Sequence, residues 1–222
     1  SDVCSSDLWA LDQGARPGRL LTTLGATLEE RGELDAALSI YERVWTRYDD
    51  GLWAPRAMLS AVGIHARRQE WDKATVQLEL LASRYALSEP ALQVPLTRAM
   101  HLRRRASDAA AISALQEAER QYEELMARLP RGPHADRLRE LLIETLERQG
   151  RYDEALAGRR RWIENAAGTM EELHRLHTTL EAAREQRPGE DAIQPLVLRI
   201  ADRFPDTRLG RQMARRLPGD ES

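Results

Sequence analysis

Residues 21–48 read LTTLGATLEERGELDAALSIYERVWTRY and contain two amphipathic patterns separated by a break at Gly32. Apolar or small residues recur three and four positions apart on each side of the break, which is the spacing of one helical face. A glycine suits the position just past a helix end, where the backbone becomes left-handed. The stretch therefore predicts a helical hairpin. Its two helices are predicted at 18–31 and 34–47.

The hairpin recurs along the chain with a nearly constant step. Its second helix opens on a small residue, and the equivalent alanines are Ala37, Ala74, Ala111, Ala155 and Ala192. Successive alanines are 37, 37, 44 and 37 residues apart. The seven extra residues of the third step add almost two helical turns, so they leave the buried face of a helix nearly unchanged. Self-similarity at such a period is typical of repeat arrays, in which stacked hairpins share a continuous core.

Proline and serine positions refine this register. Pro90 and Pro95 predict that the first helix of the third hairpin starts late or bends near 95. Ser107 predicts the N-cap of the second helix of that hairpin. Pro195 is compatible with the last repeat only if it lies within the first turn of its helix. The predicted units are 18–50, 54–87, 91–131, 134–168 and 169–205, with a capping helix in 206–217 and a disordered tail at 218–222.

The positions Leu24, Gly25, Leu28, Gly32, Ala37 and Tyr41 resemble the consensus of a tetratricopeptide (TPR) repeat. The resemblance implies an all-α, right-handed α-solenoid of about five antiparallel hairpins. It also implies a concave groove lined by the first helix of each hairpin, where TPR proteins dock a peptide or a helix. The expected fold is one TPR-like repeat domain over residues 9–217.

The resemblance assigns groove-facing side chains in every unit. The first two units supply Arg19, Thr22, Glu29, Glu30, Arg56, Leu59, Gly63 and Arg67. The third and fourth supply Gln93, Leu96, Met100, Arg103, Arg104, Arg137, Glu140, Glu144, Glu147 and Arg148. The fifth supplies His174, His177, Glu181 and Arg184. This set predicts a groove that is basic in its middle and acidic towards the fourth unit. The TPR clamps that grip a C-terminal carboxylate use asparagines in these helices, and the only asparagine of this chain is Asn165, so we do not expect such a clamp.

Three clusters invite a chemical interpretation, and each has a structural alternative that we favour. His174, His177 and Glu181 share a helical face, which suits a metal site or a polar groove wall. The arginine runs 103–105 and 159–161 suit phosphate binding or a solvated helix face. The carboxylates of Glu140, Glu144 and Glu147 suit acid–base catalysis or exposed ion pairs with Arg137, Arg148 and Arg151.

Net charge, apolar content and the motifs that are missing argue against several classes of function. The net charge is −3 and apolar residues make up 42% of the chain, so no strong basic field favours nucleic acid. No apolar run approaches the length that spans a bilayer. We find no phosphate loop, nucleophile elbow or cysteine metal site, and we expect neither catalysis nor a cofactor nor a bound metal.

The first eight residues, SDVCSSDL, resemble one reading frame of a DNA sequencing adapter, and we interpret them as foreign to the protein. Residues 9–11 then fall where the end of an earlier repeat is expected, so we expect a longer chain upstream. The cell compartment, cytoplasmic or periplasmic, is left open.

The sequence thus predicts a non-catalytic scaffold that binds a partner protein or peptide, and self-association is compatible with it. Two alternatives remain. The chain is the regulatory or oligomerising tail of a larger enzyme or signalling protein, or it is a cell-envelope assembly adaptor. The second alternative rests on Phe204-Pro205-Asp206-Thr207, which is similar to linkers of bacterial envelope TPR proteins.

Overall fold

The structure, a computed structural model, describes residues 17–49, 52–105, 107–186 and 190–215, without the side chains of 184–192. Our interpretations of residues 1–8, 9–11 and 218–222 therefore lie outside the described residues. Within these ranges the chain forms twelve helices and no strand, which confirms the all-α prediction. The helices are α1 Pro17–Glu30, α2 Leu34–Arg47, α3 Trp53–Arg67, α4 Trp71–Arg84, α5 Glu89–Leu92, α6 Val94–Arg105, α7 Asp108–Arg128, α8 Pro133–Arg148, α9 Tyr152–Glu164, α10 Met170–Gln186, α11 Glu190–Arg203 and α12 Arg208–Ala214.

The alanine register marks buried positions, as predicted. The alanines at 37, 74, 111 and 155 are each at most 2% exposed, while the side chain of Ala192 lies outside the described residues. A small residue at this place lets the second helix of a hairpin approach its neighbours closely. The 37-residue step is therefore a packing repeat as well as a sequence pattern.

One turn geometry joins the two helices in three of the hairpins. After α1, the amide of Glu33 donates to the Leu28 carbonyl at 2.9 Å and that of Gly32 donates to the Glu29 carbonyl at 3.0 Å. These two bonds form a Schellman motif, which satisfies the last carbonyls of a helix. The same pair of bonds closes α3 and α8, with Gln69 and Gly150 at the left-handed position. The turn thus recurs in the register that the alanines define.

An ion pair repeats with the same step. Arg68, just after α3, donates to Asp35 of α2 at 2.7 Å, and Arg105 of α6 pairs with Asp72 of α4 at 3.0 Å. Both members move by 37 residues from one pair to the next. Each pair ties the start of a second helix to the end of the following first helix. Such exposed pairs add little stability, but they show that successive hairpins pack in the same way.

The chain divides into two compact units between Thr145 and Leu146, within α8. In the first unit, α1 packs against α2 and α3, and α4 packs against α3, α5 and α6. Its cores centre on buried residues such as Leu21, Tyr41 and Ile64 towards its N-terminal end, and Leu96, Leu115 and Leu138 towards its C-terminal end. In the second unit, α10 packs against α9 and α11, and α11 also packs against α12.

Pro195 departs from the prediction. It lies inside α11, six positions from the start and beyond the first turn. A proline there removes one main-chain hydrogen bond. The residues that follow it, Leu196, Val197 and Ile200, are buried in the core of the second unit. Burial of this face stabilises the helix against the local penalty of the proline, because tertiary packing outweighs local propensity.

Candidate functional site

Two neighbouring cavities lie between the first helices of the second, third and fourth hairpins, which are α3, the interrupted pair α5 and α6, and α8. The larger holds about 490 Å³ and the smaller about 310 Å³. Both are bordered by Gln93, so we describe them together as the central groove. The larger cavity is lined by Arg56, Leu59, Ser60, Glu89, Pro90 and Gln93. The smaller is lined by Gly63, Ala66, Arg67, Gln93, Leu96, Thr97, Met100, His101, Arg104, Arg137, Leu141 and Glu144.

A break in the helix places Gln93 at this junction. The short helix α5 ends at Leu92 and α6 begins at Val94, as expected from the two prolines. Ser88 caps α5 by accepting the Ala91 amide at 3.2 Å. The restart leaves the first amides of α6 without partners in their own helix. The buried hydroxyl of Tyr122 accepts one of them, from Leu96, at 3.2 Å, and burial raises the pKa of this tyrosine.

The floor of the groove is apolar. Leu96 and Leu141 are 6% and 1% exposed, and Met100 is half-buried beside them. The unbranched methionine side chain adapts to the shape of a ligand more readily than a branched one. The floor can therefore take an aliphatic side chain.

One wall of the groove has a gap at Gly63. This glycine lies in the middle of α3 and is exposed, and apart from its two chain neighbours and the nearby backbone of α3, no described atom lies within 4 Å of the position that its Cβ would take. Glycine inside a helix costs roughly 1 kcal/mol relative to alanine. The packing of the described residues gives no reason for this cost.

Three guanidinium groups border the smaller cavity, and two of them have carboxylates of their own. Arg67 pairs with Glu29, which also accepts the Tyr41 hydroxyl at 2.9 Å. Arg137 donates to Glu140 at 2.8 Å. The third guanidinium belongs to Arg104, and none of the described carboxylates forms an ion pair with it.

His101 completes this side of the cavity. Its ring stands edge-on to Trp71 with the centroids 5.5 Å apart, and its buried Nδ1 atom has no hydrogen-bond partner in the described part of the chain. Burial lowers the pKa of His101, and the charge of Arg104 lowers it further. The imidazole is therefore biased towards its neutral form, and the positive charge on this side of the cavity belongs to Arg104.

The predicted groove residues are only partly brought together. Arg56, Arg67, Met100, Arg104 and Glu144 line the central groove, as do Leu59, Gly63, Gln93, Leu96 and Arg137. Arg19 and Arg103 are exposed and border neither cavity, while Glu29 and Glu140 bind groove arginines from outside. His174 and His177 are exposed on α10 in the second unit, where His177 lies 3.9 Å from Glu181. The side chain of Arg184 lies outside the described residues.

The position of Glu147 shows that two predictions, one about this residue and one about the arginine run 159–161, were wrong. Arg159 of α9 donates to its carboxylate at 2.7 Å, and the two side chains are only 16% and 13% exposed. The pair is therefore mostly buried, whereas we predicted an exposed pair for Glu147 and a solvated face for the run 159–161. Arg160 and Arg161 are exposed, and Arg151 binds Glu154 at 2.6 Å.

Several residues that line the groove were not predicted from the sequence. Thr97 and His101 share a face of α6 one turn apart, and Ala66 and Leu141 belong to α3 and α8. The i, i+4 spacing of Thr97 and His101 was a readable signal. It was obscured because His101 falls at the register position of the buried Ile64, which suggests a core role.

Among the described residues, no group of three or more His, Cys, Asp or Glu side chains has the geometry of a metal site. None of the helices in those ranges has the length and apolarity to cross a bilayer. No protein-family model matches the chain, and no curated protein matches it.

Proposed function

We propose that this chain is a non-catalytic, TPR-like scaffold that binds a segment of a partner protein in the central groove. In this proposal the hairpins stack as a right-handed solenoid. The central groove is part of its concave surface, which the first helix of each hairpin lines. The observation that carries the proposal is the groove itself. It combines an apolar floor, the Arg104 guanidinium, which forms no ion pair with a carboxylate of the described residues, and a gap in one wall at Gly63.

The repeated contacts support this proposal. The Schellman turns and the Asp–Arg pairs recur with the alanine step, so neighbouring hairpins of the first unit are positioned alike. Contacts between α1 and α3 place consecutive first helices side by side. Such an arrangement exposes an extended row of side chains, and repeat proteins use these rows as binding surfaces.

The groove is better suited to a polypeptide than to a small substrate. Ligand pockets that support chemistry converge polar groups within an enclosed site. Here the two cavities follow one another along α3, and their charged groups come from four different helices. This geometry favours a long ligand that makes several weak contacts.

Adjacent arginines provide a matched test. Arg104 borders the groove, whereas Arg103 is exposed one residue earlier and does not. We expect immobilised full chain to retain a reproducible set of proteins from the cells in which it occurs. Arg104→Glu is expected to release them, and Arg103→Glu is expected to keep them. Equal retention by both variants, or equal loss, contradicts the proposal.

A further inference from the structure

We propose that the occupant of the central groove is an extended peptide segment whose main chain crosses Gly63 and whose acidic side chain binds Arg104, next to an aliphatic side chain on the groove floor. This inference rests on the proposed function and specifies the partner. It concerns an internal segment of a protein, not a free chain terminus.

The gap at Gly63 indicates what approaches the wall. Glycine inside a helix is costly, and a Cβ at this place would meet no described atom beyond its chain neighbours and the nearby backbone of α3. Glycine is used where another backbone must come close, because it offers no side chain to hold the backbone away. A bound α-helix presents mostly side chains to its surroundings, whereas an extended strand can bring its peptide groups to the wall. The gap therefore favours an extended main chain.

Gln93 supplies the opposite contact. It stands at the junction of the two cavities, on the break between α5 and α6. Its side-chain amide carries both donors and an acceptor, so it can bond the N–H or the C=O of a peptide group. A main chain held between Gly63 and Gln93 is in contact with both cavities.

The length of the groove sets the length of the segment. Arg56 and Arg67 mark the two ends of the α3 wall, and they are eleven residues apart. This separation is about 16 Å along a helix axis. An extended chain covers it with about five residues.

Charge selects an acidic side chain. Arg67 and Arg137 are already paired with Glu29 and Glu140, while Arg104 forms no ion pair with a carboxylate of the described residues. A guanidinium binds a carboxylate through parallel N–H bonds, and this geometry is more specific than that of a lysine. Glu144 adds a carboxylate to the lining of the same cavity, which disfavours a second acidic residue there. The expected segment therefore carries one acidic residue, with an aliphatic residue within two positions of it.

The test uses a displayed library of random seven-residue peptides, panned against the full chain. We expect enriched peptides to carry Asp or Glu within two residues of Leu, Ile or Met. The best of them is then synthesised with both termini blocked, labelled, and titrated by fluorescence anisotropy. Gly63→Leu and Arg104→Glu are each expected to weaken binding at least tenfold, and Arg103→Glu is expected to change it less than twofold.

A charge exchange separates the contact from a general effect on folding. Replacing the acidic residue of the peptide by lysine is expected to abolish binding to the wild-type chain and to restore it for Arg104→Glu. Circular dichroism of each variant checks that the helices are retained, and Gly63→Ala serves as the mild version of the larger substitution.

The possible results separate a failure of the peptide inference from a failure of the proposed function. Suppose that the enriched peptides lose affinity for Gly63→Leu, so that they do bind in the groove. The inference is then wrong if these peptides lack an acidic residue, bind Arg104→Glu as well as wild type, bind as helices, or require a free C-terminus. If no peptide is enriched, or if binding is unchanged in both groove variants, the proposed function fails as well.

Discussion

The ring of Tyr41 lies directly against Gly25. A Cβ on this glycine would stand 2.5 Å from Cε1 and 2.8 Å from Cδ1 of the tyrosine. The ring is 1% exposed, and its hydroxyl donates to Glu29 at 2.9 Å. Burial, followed by the Glu29 contact, raises the pKa of Tyr41 to about 12. Gly25 and Tyr41 therefore form one packing unit that holds α1 against α2.

Gly25 and Gly63, two helical glycines of the first unit, predict opposite results when each is replaced by alanine. Gly25→Ala forces the Tyr41 ring aside, and overpacking of this kind costs about 1–3 kcal/mol. Gly63→Ala meets no neighbour and is expected to raise the free energy of unfolding by about 0.5–1 kcal/mol. Urea denaturation followed by circular dichroism measures both changes. Shifts of the same sign would show that the packing at one of these sites is described wrongly.

Gln69 occupies a left-handed position that glycine fills in two other hairpins. Its φ is 60°, against 79° at Gly32 and 77° at Gly150. A residue with a side chain is strained there, so we expect Gln69→Gly to stabilise the chain by about 0.5–1 kcal/mol. The reverse change, Gly150→Gln, is expected to destabilise it by a similar amount. Thermal denaturation of both variants tests this, and a lower midpoint for Gln69→Gly contradicts it.

Glu172 is a buried carboxylate that holds the second unit together. It is fully buried, accepts the Gly168 amide at 2.7 Å, and pairs with Arg199 at 2.6 Å and Arg203 at 3.2 Å. Burial by itself opposes ionisation, but the Gly168 and arginine contacts outweigh it and hold the pKa of Glu172 below its ordinary value of 4.5. We expect Glu172→Gln to destabilise this unit by about 2 kcal/mol at pH 7, because hydrogen bonds to a charged group are the stronger ones.

The lowered pKa of Glu172 also predicts how stability changes with pH. Because the folded-state pKa is below the unfolded value, this contribution is fully present above about pH 4.5 and decreases as the pH falls through the folded pKa. Unfolding of wild type and Glu172→Gln should therefore converge in acid. The neighbouring Glu171→Gln, which removes an exposed carboxylate, is the control and is expected to cost less than about 1 kcal/mol. A difference that stays constant down to pH 2 refutes the assignment.

The pair of Glu147 and Arg159 predicts a non-additive result. Arg159→Leu leaves a mostly buried carboxylate without its cation and is expected to cost about 2 kcal/mol or more. The double variant Glu147→Leu/Arg159→Leu removes both charges and is expected to return most of the lost stability. Arg160→Leu, at an exposed neighbour, should stay within about 0.5 kcal/mol of wild type. If the double variant is less stable than the single one, the pair is not the cause.

Local rules were sufficient to predict the helices. Glycine at 32 and 150 and proline at 90 and 95 mark the ends and the break, and the bounds of α1 and α2 fall within one residue of the predicted 18–31 and 34–47. Ser107 caps α7 by accepting the Ala110 amide at 3.4 Å, which confirms the predicted N-cap. These features depend on neighbours a few residues away, so the sequence displays them directly.

The contacts between helices were harder to predict. Arg159 stands where other hairpins carry Tyr41, Leu78 or Leu196, and only the position of Glu147 across the hairpin explains it. His101 occupies the register position of the buried Ile64 but borders the groove, in the hairpin whose first helix is interrupted at Gln93. The resemblance assigned both Arg103 and Arg104 to the groove, whereas in the structure both are exposed and Arg104 borders the groove while Arg103 does not.

The methionines allow the most direct test of the central groove. The chain has five, at positions 58, 100, 126, 170 and 213, and Met100 is the one among them that borders the groove. Methyl-labelled methionine gives one NMR signal for each, and Met100→Leu assigns the signal of interest. On titration with the selected acidic peptide, we predict that the Met100 methyl signal shifts in proportion to occupancy, while the exposed Met170 and the buried Met58 and Met213 stay in place. A peptide that binds while the Met100 signal stays unchanged, or that shifts Met170 instead, contradicts the account.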